Sequence, residues 1–172
     1  MRATWIHFSK AQLLIALAAC GLAAPACVSV NIGPKGNQKA NDVEFKEPSA
    51  PYDELDKTAA DSAWQNKNNG NTISYYSSCK DPADAPIDAV MRDLFSELRE
   101  LRTIQTGNVI YNGREGQDTE VEGRLDGVPT RIRAVVFKKN DCTYTISYIG
   151  VPKSFEEDRA RFNEFLGNFR AP

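Results

Sequence analysis

Histidine is almost missing from this 172-residue chain; its single copy is His7. Beyond that position the sequence excludes Ser-His-Asp and Cys-His catalysis and any histidine-ligated zinc or haem. The four cysteines, Cys20, Cys27, Cys79 and Cys142, nowhere reach C-x-x-C spacing, which argues against a structural zinc site. No basic excess exists either: 21 Lys and Arg stand against 23 Asp and Glu, a net charge of −2. Nucleic acid as a partner is thereby disfavoured, because it needs a clustered basic surface. The glycine-rich stretch Asn112-Gly113-Arg114-Glu115-Gly116 lacks the Lys-Ser/Thr of a phosphate loop and opens no helix. It reads as a tight turn between strands. The inventory calls for no metal and no cofactor, and it offers no catalytic constellation; the expectation is that the chain is not an enzyme.

The N-terminus carries a clear signal. Arg2 and Lys10 supply positive charge, and residues 11–19, AQLLIALAA, form a nine-residue apolar run. Charge followed by a short apolar run is the order of a secretory signal, and nine residues fall well short of the roughly 20 needed to span a bilayer. The run ends in Leu17-Ala18-Ala19-Cys20. This segment resembles bacterial lipoprotein precursors, in which a cysteine follows small residues with Leu three positions before it. The resemblance implies that residues 1–19 are removed and that Cys20 becomes a diacylglycerol-bearing N-terminus. Loss of Arg2 and Lys10 would bring the net charge to −4. Gly21 follows the cysteine, where an aspartate is absent; the resemblance then implies the periplasmic face of the outer membrane in a Gram-negative bacterium. Two other readings stay open. Ala24-Pro25-Ala26 is an A-x-A cleavage pattern that would start a secreted protein at Cys27, and residues 11–30 would otherwise remain as one uncleaved, Ala/Gly/Pro-rich span.

Residues 20–42 follow as lipidated cysteine and tether. VSVNIGPKGNQKAND has linker composition, with no aromatic residue and no apolar period. Fifteen to twenty such residues reach about 20–25 Å. An edge strand at 28–32 is the weaker reading of its first part.

A single folded domain is expected over residues 43–172. Val43-Glu44-Phe45 is a short strand candidate. Residues 62–66 and 72–78 flank Lys67-Asn68-Asn69-Gly70-Asn71, whose Asn-Gly suits a hairpin. Ile87, Val90, Met91, Leu94, Phe95, Leu98 and Leu101 recur at helical steps, which predicts a helix over 87–101 with Asp84 as N-cap. At least three strands come next, over 106–113, 117–126 and 128–139, with 142–151 pairing back across Asn140-Asp141. Ile132, Ala134 and Val136 share one face, as do Cys142, Tyr144, Ile146 and Tyr148. A last helix over 155–168 carries Phe155, Phe162, Phe165, Leu166 and Phe169 as its stripe, with Ser154 and Glu157 spaced as a capping box. Strands with one helix inserted and one at the end mean α+β. Cys79 and Cys142 lie on apolar strand faces in an exported chain, so a disulfide between them is expected, against the alternative of two buried thiols; Cys27 is then left over.

Trp64, Gly70-Asn71-Thr72-Ile73-Ser74-Tyr75, Asp126-Gly127-Val128-Pro129, Cys142-Thr143-Tyr144 and the run from Pro152 into the final aromatic helix together resemble the PsbP-like family. That family includes photosystem extrinsic proteins, Ran-binding relatives and bacterial lipoproteins. The resemblance covers residues 43–169. It implies an antiparallel sheet with helices packed on it and a docking role, and it carries no active site to transfer.

Weighed against these, Asp118, Glu120 and Glu122 on one strand face are candidates for acid–base chemistry, but they alternate with apolar residues as a solvated face does. Arg131 and Arg133, with Lys138 and Lys139 nearby, read the same way. The expected role is a non-catalytic envelope module, held to the membrane through Cys20, that docks on a protein or cell-wall partner. The rival is a carrier of a small apolar ligand between sheet and helix, lined by Tyr75, Tyr144, Tyr148, Phe162 and Phe165. No ligand-binding residue is singled out from the sequence beyond that set.

Overall fold

The computed structural model describes residues 38–56, 58–80 and 84–172. Cys20, Cys27, the signal and most of the tether lie outside the described residues.

Seven antiparallel strands make one sheet: β1 Tyr52–Glu54, β2 Ser62–Asn66, β3 Thr72–Cys79, β4 Arg99–Tyr111, β5 Arg114–Leu125, β6 Val128–Lys139 and β7 Cys142–Gly150. Their order is β1-β2-β3-β7-β6-β5-β4. The chain thus leaves β3 in the middle, crosses to the far edge, and meanders back to pair β7 with β3. Helix α1, Ile87–Leu94, lies in that crossover; α2, Pro152–Phe155, a 3-10 turn, Glu156–Asp158, and α3, Arg159–Asn168, follow β7. This is an α+β fold of the expected class.

The tips are set by residues that tolerate positive φ. Gly70, Asn112-Gly113, Asp126-Gly127 and Asn140-Asp141 all turn with φ between 50° and 82°, as tight hairpins demand.

Each face of the sheet has its own core. Val135, Phe137, Tyr144, Ile146 and Tyr148 pack under α3 against Phe162, Phe165 and Phe169. Val121, Ile132, Ala134 and Val136 pack under α1 against Met91, Phe95 and Leu98. A period of two sends alternate residues of β6 to opposite cores, so neither face of the central strands meets water.

Three local expectations differ. Helix α1 stops at Leu94, and the chain tightens through bonds from Ser96 N to Asp93 O and Leu98 N to Phe95 O. Phe95 and Leu98 keep their buried positions in that turn, while Leu101 joins β4 and is half exposed. The apolar stripe is thus real, but its last members belong to a turn and a strand. Asp84 is not an N-cap; it pairs with Lys138, and Pro86 stands at the cap position without a side-chain bond. Ser154 and Glu157 form no capping box, because Ser154 Oγ bonds Asn71 Oδ1 and its carbonyl accepts from Asn71 Nδ2.

Gln38 and Ala40 are tied to β3. Gln38 and Cys79 exchange backbone hydrogen bonds, and Ala40 N donates to Ser77 Oγ at 2.8 Å. Cys79 and Cys142 stand opposite each other in the β3–β7 ladder and are joined by a disulfide at a Cα separation of 3.9 Å.

Candidate docking edge and its surroundings

The residues that looked most like chemistry turn out to hold α2 and α3 on the sheet. Glu120 is 3% exposed, beneath the C-terminal segment rather than on a solvated face. Arg131 Nε donates to its Oε1 at 2.6 Å, and Arg159 donates to both oxygens at 2.7 and 3.0 Å. The two guanidinium groups also lie 4.9 and 5.2 Å from the ring centre of Phe155. Burial alone raises the Glu120 pKa, but the bonds from Arg159 and Arg131 outweigh it and hold it below the ordinary value. Arg133 forks onto Asp118 at 2.7 and 3.0 Å and covers Phe162 at 5.5 Å. Asp118, Glu120 and Glu122 are therefore matched by Arg131, Arg133, Arg159 and Arg102, while Lys138 pairs with Asp84 and Lys139 donates to Ala171 O. Alternating charges on β5 read as solvent-facing because their partners, Arg131, Arg133 and Arg159, come from another strand and a helix.

A second polar cluster sits at the β2–β3 turn. Asp158 Oδ2 accepts from Asn66, Asn69 and Asn71 at 2.8, 2.9 and 2.9 Å. Burial raises the Asp158 pKa, and those three amides more than reverse it. The cluster fixes the turn to the 3-10 segment and is filled by its own members.

The aromatic set suggested as a ligand cavity is a packed core. Tyr144, Tyr148, Phe162 and Phe165 are at most 2% exposed. Tyr148 stacks on Phe162 at 5.3 Å, Tyr144 on Phe137 at 5.0 Å, and Tyr75 meets Phe169 edge-on at 5.3 Å. The rings take one another as neighbours where a carried ligand would have to lie.

Among the described residues, what remains open is an edge. The sheet has two outer strands: β1 of three residues and β4 of thirteen. An edge strand presents unpaired backbone N–H and C=O groups to any chain that can pair with them. The first half of β4 is blunted: its pairing with β5 shifts register between Arg99 and Arg102 and again between Thr103 and Gln105. That half also carries Arg99, Glu100 and Arg102, with Glu100 at φ 54°. Bulges and charge are the usual means of protecting an edge. The second half, Thr106 to Tyr111, has neither. It pairs in unbroken register with Thr119 to Arg114 and contains no charged residue and no proline. Ile110 is 74% exposed, and a Cβ placed on Gly107 would meet nothing within 4 Å.

An open groove of about 520 Å³ runs beside this segment on the α1 side, lined by Ile87, Asp88, Asn108, Ile110, Glu115 and Gln117. The oxygen of the Gln117 side chain, Oε1, is buried without a hydrogen-bond partner among the described residues. Among the described residues no group of acidic, cysteine or histidine side chains is arranged to hold a metal ion, and no helix is long and apolar enough to cross a membrane.

Sequence reasoning identified 106–113 as a strand but not as an edge, because strand order is not a local property. The absence of charge from 106 to 111, beside a charged 99–102, was the available signal.

No protein-family model matches the sequence, and no curated protein matches it. Solved structures do. The chain is similar to the cyanobacterial PsbP protein CyanoP of Synechocystis sp. PCC 6803, with a TM-score of 0.56 at 13% identity over 87% of this chain and 100% of that one. It is similar to LpqN, involved in cell envelope biogenesis of Mycobacterium tuberculosis, with a TM-score of 0.57 at 11% identity over 83% of this chain and 88% of that one. Identities this low speak to architecture alone, and the architecture is the PsbP-like α+β fold.

Proposed function

We propose that this chain is a membrane-anchored envelope lipoprotein whose domain docks, without catalysis, onto another envelope protein by accepting one of its strands along Thr106 to Tyr111. The observation that carries the reading is the unprotected half of β4, a regular and uncharged edge with Ile110 74% exposed, next to a half that is bulged and charged. Strand addition takes its affinity from main-chain hydrogen bonds and its specificity from alternate side chains.

The anchor rests on Leu17-Ala18-Ala19-Cys20. Two or more acyl chains on Cys20 make a stable anchor, at about 0.8 kcal/mol per buried CH₂. A tether that confines the domain near the membrane raises the effective concentration of a partner there. LpqN, a structure of the same fold, is named for cell envelope biogenesis, which supports an envelope setting.

The test is photocrosslinking in the native envelope, from a benzophenone side chain placed at Ile110 and, as a control, at Gln65 on the opposite half of the sheet. A reproducible protein adduct from Ile110 alone is expected. Cys20→Ala should move the protein from the detergent phase to the aqueous phase and weaken that adduct. Peptidoglycan fragments as the only adduct, or a stoichiometric small molecule with no macromolecular adduct, would overturn the protein-docking reading. A wild type that stays aqueous, with an unmodified N-terminus at Cys27, would overturn the anchor.

A further inference from the structure

We propose that the groove beside β4 is a specificity pocket for a lysine or arginine side chain of the incoming strand; this rests on the strand-addition reading above. A strand added outside β4 sends every second side chain to the α1 side of the sheet, next to Thr106, Asn108 and Ile110. On β5, Glu115 stands directly opposite Ile110, and Gln117 opposite Asn108. A side chain that leaves the added strand toward the α1 side at that level reaches the mouth of the groove. The groove has a volume of about 520 Å³, far more than one side chain needs.

Its chemistry is that of an acceptor. Glu115 has no cationic partner among the described residues. Asp88, on the first turn of α1, has only Arg92 at 3.5 Å, a pair in which both side chains are well exposed. Arg114 neighbours Glu115 in sequence, but alternation directs it to the other face. Beside them, Gln117 Oε1 has no hydrogen-bond partner among the described residues, and its Nε2 reaches Thr106 Oγ1 only at 3.5 Å. Ile87 and Ile110 supply an apolar rim. Exposed carboxylates beside apolar Ile87 and Ile110 suit a side chain with an aliphatic stem and a cationic head, and lysine and arginine have that form. An acidic residue at the same place would meet Asp88 and Glu115 with like charge. Reach is sufficient: strands lie about 4.8 Å apart, so the long cation and the Glu115 side chain together span the two steps from the added strand to β5.

Three dye-labelled, end-blocked heptapeptides test this against the full-length chain in detergent, by fluorescence anisotropy. Each has the pattern TVTXTVT, with lysine, norleucine or glutamate at X, so that X and both valines share one face. The lysine peptide should bind about tenfold more tightly than the norleucine peptide, with the glutamate peptide weakest. In the double variant Asp88→Asn, Glu115→Gln the lysine and norleucine peptides should bind alike. Equal binding of lysine and norleucine peptides to the wild type, or a preference for glutamate, overturns the cation pocket while leaving strand addition in place. If none of the three binds at millimolar concentration, strand addition itself fails and the pocket with it.

Discussion

Glu120 is a buried carboxylate held by two arginines. It is the buried acceptor that joins β5 to β6 through Arg131 and to α3 through Arg159. The sequence places it in an alternating acidic run, and only the partners distinguish it from Asp118 and Glu122. Arg131 is 16% and Arg159 27% exposed at the side chain, so solvent screens part of the attraction. Glu120→Gln keeps the shape, forfeits the charge-assisted bonds and should cost about 2–3 kcal/mol. The same residue predicts an acid limit. Its folded pKa lies below its unfolded value, as does that of Asp158. The folded state therefore holds fewer protons, and the stabilisation is complete above the ordinary carboxylate pKa of about 4. It is lost as pH falls through the lower folded values. Urea midpoints measured from about pH 6 down to pH 3 should drop steeply in wild type and less steeply in Glu120→Gln; parallel curves would show that Glu120 takes no part in the acid limit.

Among the elements, those with local signals were legible and those held by distant partners were not. Asn-Gly and Asp-Gly mark the β2–β3 and β5–β6 turns, and the strict alternation of β6 and β7 marks their faces. Those signals are steric and act within a few residues. The end of α1 was not legible, because Phe95 and Leu98 satisfy a helical period while forming a turn. The covered face of β5 was not legible, because its acids are matched by arginines up to 39 residues away. The β2–β3 turn shows how tightly such distant contacts bind elements together. Asn71 is fully buried and donates both to Ser154 O and to Asp158. It fits only because β7 ends in Gly150, where an added Cβ would lie 2.0 Å from Asn71 Oδ1. Gly150→Ala must push Asn71 out of its bonds, unpairing the Ser154 carbonyl and one amide on Asp158. A loss of about 3 kcal/mol is expected in urea unfolding, against less than about 0.5 kcal/mol for Gly107→Ala on the open edge. Equal costs for the two would refute the role given to Gly150.

At the scale of the molecule, the disulfide, the bridge at Gln38 and the Tyr111 end of the β4 edge share one end of the sheet. Gln38 pairs with Cys79, Cys79 with Cys142, and Cys142 with Lys139. Two residues along β6, Phe137 pairs with Gly116, which pairs with Val109. The segment from Thr106 to Tyr111 thus ends near the row of the Gln38 bridge. Five strand spacings separate the two, about 24 Å across the sheet. The disulfide stands beside that bridge and closes a span of 63 residues containing α1, β4, β5 and β6. In the chain-entropy model a closure of that length stabilises by roughly 4 kcal/mol, by restricting the unfolded chain. The double variant Cys79→Ser, Cys142→Ser should therefore fold to the same sheet but melt about 10–15 °C lower. Its urea midpoint should fall accordingly, and wild type under strong reductant should match it. An unchanged melting temperature, with two reactive thiols in the denatured and unreduced wild type, would refute the covalent link. A lowered melting temperature with undiminished crosslinking from Ile110 would show that the bond protects the fold and leaves the docking edge to the hydrogen-bonded sheet alone.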